Sequence, residues 1–185
     1  AASLQNNMTY YFNVVARNNE QIRNSTSNCY SSNGVHFDNI PPSNGSISYP
    51  GGNLTVTNLV LSLNKGMDNL SNLSRAEIYQ AKTPINNLTG ACGTFVPVLL
   101  TTIDLDDQEH IVSTEDGYCY RFQYKVYDRA GNYIIYSSSN QGINDPKVDS
   151  TLPSGVTVTD DGTMTTSRQL HAEWNYASDP ESGIA

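Results

Sequence analysis

Tyr120-Arg121-Phe122-Gln123-Tyr124-Lys125-Val126-Tyr127-Asp128 sets Tyr120, Phe122, Tyr124 and Val126 on one alternate face and Arg121, Gln123 and Lys125 on the other. Successive side chains of a strand point to opposite sides, so this period of two predicts a β-strand with one face buried. The same design occurs near the start of the chain. Tyr10-Tyr11-Phe12-Asn13-Val14-Val15-Ala16-Arg17-Asn18 aligns on it without gaps, with Tyr10, Phe12, Val14 and Ala16 on the apolar face.

Three further blocks follow in the same order. Tyr30-Ser31-Ser32-Asn33-Gly34 matches Tyr136-Ser137-Ser138-Ser139-Asn140, and Asp38 before Ile40-Pro41-Pro42-Ser43-Asn44-Gly45 matches Asp149 before Leu152-Pro153-Ser154-Gly155. Leu59-Val60-Leu61-Ser62-Leu63-Asn64 with Asp68 matches Leu170-His171-Ala172-Glu173-Trp174-Asn175 with Asp179. Colinear matches at an offset near 110 residues are the signature of a repeated structural unit. The phase of that unit predicts the last strands of a first module over 1–40, a complete module over 41–148 and the opening strands of a third over 149–185. A half-sandwich leaves an open edge and an uncovered apolar face. The chain is therefore expected to be an excerpt from a longer array, with both ends cut.

Composition agrees with strands. Of 185 residues, 21 are Asn, 20 Ser and 16 Thr, and only 15% are charged. The Glu, Lys, Arg and Ala that fill helix surfaces are scarce, while the 12 Tyr suit half-buried strands. An all-β protein is expected. A net charge of -8 and a pI near 4.6 exclude phosphate-backbone binding, which depends on clustered Lys and Arg. At 37% hydrophobic residues and a mean hydropathy of -0.45, no stretch approaches the roughly 18 apolar residues of a membrane-spanning helix.

Leu4-Gln5-Asn6-Asn7-Met8-Thr9-Tyr10-Tyr11-Phe12-Asn13-Val14 resembles the end of a fibronectin type III module, where a Leu precedes by six residues the Tyr that opens strand F. The resemblance implies that Tyr10 is a corner residue, its hydroxyl bonded to upstream backbone. Trp174, after Leu170 and Ala172, resembles the strand-B Trp of the same modules. Asp179-Pro180-Glu181-Ser182-Gly183-Ile184 and Tyr127-Asp128-Arg129-Ala130-Gly131-Asn132 are similar to the B-C loop and F-G turn of bacterial Ig-like repeats. What this implies is a set of tandem antiparallel β-sandwiches with Tyr10, Phe12, Val14, Tyr120, Phe122, Tyr124 and Trp174 in their cores. The central module departs from the pattern by carrying Leu63 where a Trp is expected. Ser71-Asn72-Leu73-Ser74-Arg75-Ala76-Glu77-Ile78-Tyr79 also admits a helical turn, but Ala76 to Gln80 is expected to be a strand.

Cys92 lies in the turn-like Thr89-Gly90-Ala91-Cys92-Gly93 and Cys119 in the strand between Tyr118 and Tyr120, so a Cys92–Cys119 disulfide is expected as a staple between loop and core. Cys29 has no partner within the proposed modules. A disulfide implies an oxidising compartment, hence a secreted, extracellular or cell-surface protein. Asn-x-Ser/Thr sequons stand at Asn7, Asn24, Asn44, Asn53, Asn69, Asn72 and Asn87. Roughly four are expected by chance at this composition, so placement in loops, turns and strand ends, more than number, marks them as candidate N-glycan acceptors.

No cofactor and no catalytic site are expected. His36, His110 and His171 are scattered, and nucleophile elbow, Walker loop, Rossmann glycines and HExxH are all absent. Asp104-Leu105-Asp106-Asp107-Gln108-Glu109 lacks the glycine-centred loop of an EF-hand, and Asp160-Asp161-Gly162 is first a hairpin turn. Asp38 and Asp149 have the option of joining loop carboxylates at a module junction, but a solvated face is the leading expectation and no metal ligands are assigned. The function these observations imply is a structural or adhesive segment of a modular extracellular protein, whose partners are neighbouring modules, other copies in a fibre, or glycans. The rival is a spacer or carbohydrate-binding module of a large secreted enzyme, with Tyr133, Tyr136 and Tyr176 as the aromatic candidates.

Overall fold

A computed structural model describes residues 3–16, 18–19, 30–139 and 141–181. Asn24 and Cys29, together with Arg17 and Asn140 of the repeat blocks and residues 182–185, lie outside the described residues. Every regular element among the described residues is a β-strand, and no helix there is long and apolar enough to cross a membrane.

The central body is built from two sheets. Strands β5 (Ser46–Ser48), β7 (Asn58–Asn64) and β10 (Glu109–Ser113) form an antiparallel sheet in the order β10-β7-β5. The second sheet runs β6-β13-β11-β8-β9, from β6 (Gly52–Leu54), β8 (Leu73–Pro84), β9 (Val98–Ile103), β11 (Tyr118–Asp128) and β13 (Pro146–Val148). Strand β12 (Tyr133–Ser137) returns along the far half of β11, pairing Tyr127 with Tyr133 and Gln123 with Ser137. All pairings are antiparallel except β13 with β6. Ala76 to Gln80 lies within β8, opposite Val126 to Phe122 of β11.

Alternation on β7 and β11 explains why the sheets face each other. Leu59, Leu61 and Leu63 point inward from β7, and Tyr120, Phe122, Tyr124 and Val126 from β11, none more than 7% exposed. Ile47, Ala76, Ile78, Ile103, Val112 and Val148 complete one continuous core. Each fully buried aliphatic or aromatic side chain contributes about 1.5–3 kcal/mol through removal of apolar surface from water. Tyr49, between β5 and β6, packs edge-on against Phe122 at 5.2 Å and accepts the Phe122 backbone N–H at its hydroxyl (3.2 Å). Leu63, where the resemblance called for a Trp, is buried.

The flanks differ. Strands β1 (Met8–Tyr10) and β4 (Val35–Phe37) pair as a two-stranded sheet, as do β2 (Asn13–Val14) with β3 (Tyr30–Ser31), and β14 (Val158–Asp160) with β15 (Ala172–Trp174). Among the described residues no other strand pairs with them. Here the expected core positions need correction: Phe12 is 68% exposed, Val14 64% and Trp174 70%, and Tyr10 is half-buried. A two-stranded sheet has one apolar face and, without a second layer, nothing to bury it against.

Candidate functional site

The expected Cys92–Cys119 bond is present, with Cα atoms 5.8 Å apart. Its geometry follows from a tight turn after β8. Asn86 Oδ1 accepts the N–H groups of Leu88 and Thr89, the Asn86 N–H donates to Ala91 O, and Ile85 bridges to Cys92. This folds Cys92 back onto β11, where Cys119 is fully buried.

Tyr10 and Tyr120 make the same hydrogen bond. The Gln5 N–H donates to Tyr10 Oη at 2.7 Å, and the Glu115 N–H donates to Tyr120 Oη at 2.6 Å. In both cases the tyrosine captures the backbone five residues upstream, which is the corner role assigned to Tyr10.

Six sequon asparagines are described, and Asn7, Asn44, Asn53, Asn69, Asn72 and Asn87 are all exposed. Asn7, Asn44 and Asn72 have φ of 61°, 60° and 65°. Asn tolerates this left-handed conformation better than most residues, so these three also have a purely structural reason to be Asn. Asn53 lies within β6 rather than in a loop.

The aromatic candidates form no shared platform. Tyr136 turns inward and packs on Tyr124 with ring centroids 6.4 Å apart, while Tyr133 leans on Tyr127 at 5.5 Å beneath the Lys125 ammonium, and Tyr176 stands alone at 93% exposure. A cleft of about 490 Å³ borders Gly52, Phe95, Arg121, Asn144, Asp145 and Lys147. Its central charges satisfy each other: Arg121 Nε and Nη2 donate to Asp145 Oδ1 and Oδ2 at 2.9 and 2.8 Å, and the guanidinium lies 4.1 Å from the Phe95 ring centre. Burial pushes the Asp145 carboxyl upward, but the hydrogen bonds from Arg121 and the Gly142 N–H outweigh it and hold the group below the usual carboxylate range.

No protein-family model, curated protein or solved structure matches this chain.

The histidines remain apart, His36 beside Thr9 on β4, His110 on β10 and His171 near Glu173. The carboxylates do not. Asp38, Asp68 and Asp128 each place an oxygen within 4.8 Å of the others, and so do Asp149, Asp179 and Glu181. Strand ends and turns position the first group. Asp128 ends β11, where its Oδ1 accepts the N–H groups of Gly131 and Asn132 at 2.7 and 2.8 Å. Asp68 follows β7, its Oδ1 accepting from Leu70, Ser71 and Asn72 at 3.1, 2.7 and 2.9 Å. Asp38 precedes the Pro41-Pro42 linker, with Oδ1 on the Ile40 N–H at 2.9 Å, and its carbonyl accepts from Asn132 Nδ2 at 3.3 Å. Asp68, Asp128, Asp179 and Glu181 were not singled out as ligands by sequence pattern. The available signal was the repeat, which places Asp149 and Asp179 each 111 positions after Asp38 and Asp68.

Proposed function

We propose that this chain is a non-catalytic structural or adhesive segment of a modular extracellular protein, made of tandem fibronectin type III-like or Ig-like sandwiches over 1–40, 41–148 and 149–185. Its role is to fix the spacing and orientation of successive modules. The observation that carries this is the recurrence of one detailed device, the Tyr10 and Tyr120 hydroxyls each capturing backbone five residues upstream, 110 positions apart. A chance match of alternating residues does not require an identical hydrogen bond. The strand order of the central body, three strands facing a larger sheet, is compatible with that family of sandwiches.

The linkers Ile40-Pro41-Pro42 and Leu152-Pro153 support a role in orientation, because Pro fixes its own φ and restricts the residue before it. The Cys92–Cys119 bond favours an oxidising compartment, and the exposed sequons offer sites for glycans that would add bulk to a weakly charged surface.

The test is the intact mass of the natural material under non-reducing conditions, before and after enzymatic removal of N-glycans. A mass far above 20.3 kDa that falls in glycan-sized steps is the expected result. A mass of the bare 185 residues would overturn the glycosylated-array proposal. Binding of soluble glycans by the isolated chain would favour instead a carbohydrate-binding module of a secreted enzyme.

A further inference from the structure

We propose that Asp38, Asp68 and Asp128 form a binding site for a divalent cation, Ca²⁺ by preference, that clamps the Asp38 linker to the end of the central body. Asp38 and Asp128 are 8% and 2% exposed, and no ion pair found among the described residues involves any of the three. Three buried or half-buried carboxylates within 4.8 Å repel one another and have no ion-paired counter-charge among the described residues. By comparison the equally buried Glu77 is provided for: the Tyr79 and Tyr127 hydroxyls donate to it at 3.1 and 3.0 Å, with Arg75 alongside at 3.6 Å.

The decisive atom is Asp38 Oδ2. It is wholly buried and accepts no hydrogen bond, although its partner oxygen binds the Ile40 N–H. An ionised oxygen so placed is costly unless something positive meets it. Asp68 and Asp128 meanwhile are held rigidly by five backbone N–H groups, which orient their carboxylates without neutralising the group.

The donor set chooses the ion. All ligands are hard oxygens with no His or Cys among them, which disfavours zinc and copper. Mg²⁺ dehydrates reluctantly and seldom takes an all-protein cage, whereas Ca²⁺ accepts several carboxylate and carbonyl oxygens in flexible geometry. Carboxylate oxygens that all lie within 4.8 Å of one another are close enough to share one such ion. Carbonyls and water supply the remaining ligands of a six- to eight-coordinate ion.

The second cluster is an independent occurrence of the same plan. Asp149 precedes Pro153 as Asp38 precedes Pro42, and Asp179 follows β15 as Asp68 follows β7. Glu181 takes the third position, its Oε2 2.7 Å from the Thr151 hydroxyl that also approaches Asp149 Oδ1. This inference goes beyond the function proposed above, since cation binding holds or fails whether or not the chain is glycosylated or part of an array.

The test uses the whole 185-residue chain, stripped with chelator and titrated with CaCl₂ while backbone amide resonances are followed. The Ile40, Gly131 and Asn132 amides, which donate to Asp38 and Asp128, are expected to shift with a midpoint at or below about 1 mM, the range of extracellular calcium modules. Asp38→Asn keeps an oxygen for the Ile40 N–H and is expected to weaken that midpoint at least tenfold, while Asp106→Asn, in an exposed pair with Lys65, leaves it unchanged. Unmoved amides up to about 10 mM Ca²⁺, a concentration well above that range, overturn the proposal. So does the same midpoint in Asp38→Asn. Should that variant not fold, the wild-type amide map decides alone, because shifts confined to other regions place the ion elsewhere.

Discussion

Tyr120 and Tyr124 lie two turns of the pleat apart on β11, at 1% and 0% exposure, yet their hydroxyls have opposite circumstances. Tyr120 Oη accepts the Glu115 N–H at 2.6 Å, whereas Tyr124 Oη is buried without a partner. Replacing either by Phe preserves the ring and its packing, so the change in stability isolates the oxygen. Tyr120→Phe loses the bond and strands a partly buried N–H, at a cost of about 1–2 kcal/mol. Tyr124→Phe removes an unsatisfied hydroxyl and is expected to be neutral or to stabilise by up to about 1 kcal/mol. Urea unfolding at neutral pH reads both. With m of about 1–1.5 kcal/mol/M, Tyr120→Phe lowers the midpoint by about 1 M while Tyr124→Phe leaves or raises it. The Tyr124 pKa sharpens the test, because burial and then the Asp107 charge push it up to about 12. A neutral phenol favoured in the folded state contributes stability that is complete below about pH 10, the unfolded value, and is lost as pH rises toward 12. That part of the alkaline loss should vanish in Tyr124→Phe. Equal destabilisation by the two substitutions would refute the reasoning, since it would mean that the Tyr124 hydroxyl is engaged.

Reduction of the Cys92–Cys119 bond, or the double change to Ala, opens a 28-residue loop (119 − 92 + 1) in the unfolded chain and should cost roughly 3–4 kcal/mol, measured as the drop in unfolding free energy with and without reductant. A loss below about 1 kcal/mol would show that chain entropy does not govern this staple. Gly45→Ala drives a methyl carbon into the Tyr136 ring and to 2.9 Å from the Asn64 carbonyl oxygen, so a loss of about 1–3 kcal/mol is expected, visible as a lower denaturant midpoint. On the acid side, the depressed pKa of Asp145 makes its stability contribution complete above about pH 4 and lost as pH falls through the folded value. A urea midpoint profile of Asp145→Asn should therefore fall less steeply below pH 4 than that of the wild type, and parallel profiles would contradict the Arg121 pairing.

Much of the central body was legible because its signals are local. Tyr120 to Val126 and Leu59 to Leu63 alternate, and alternation fixes which side chains share a face. The identical alternation at Phe12 and Val14 shows the limit of that signal: it names the apolar face but not whether a second layer lies over it. Tyr136 shows the same limit, since an aromatic in a strand packs inward or stands out according to its register, and here it meets Tyr124. The Asp38, Asp68 and Asp128 cluster was harder to anticipate. Three loops distant in sequence bring those carboxylates together, and no periodicity spans them. Only the second copy at Asp149 and Asp179 pointed to it. The hydrogen bond of the Tyr10 hydroxyl to upstream backbone was expected only through the resemblance of Leu4 to Val14 to the end of a fibronectin type III module.

The claim that the chain is built on a repeated unit, complete over 41–148, is tested most directly by the unfolding of that segment alone. If the unit is a module, residues 41–148 fold without the flanks, unfold in one cooperative transition and have a denaturant midpoint close to that of the corresponding transition in the full chain. A segment that stays unfolded, while the full chain unfolds in a single transition that includes both flanks, would contradict the modular account and make the 185 residues one indivisible unit.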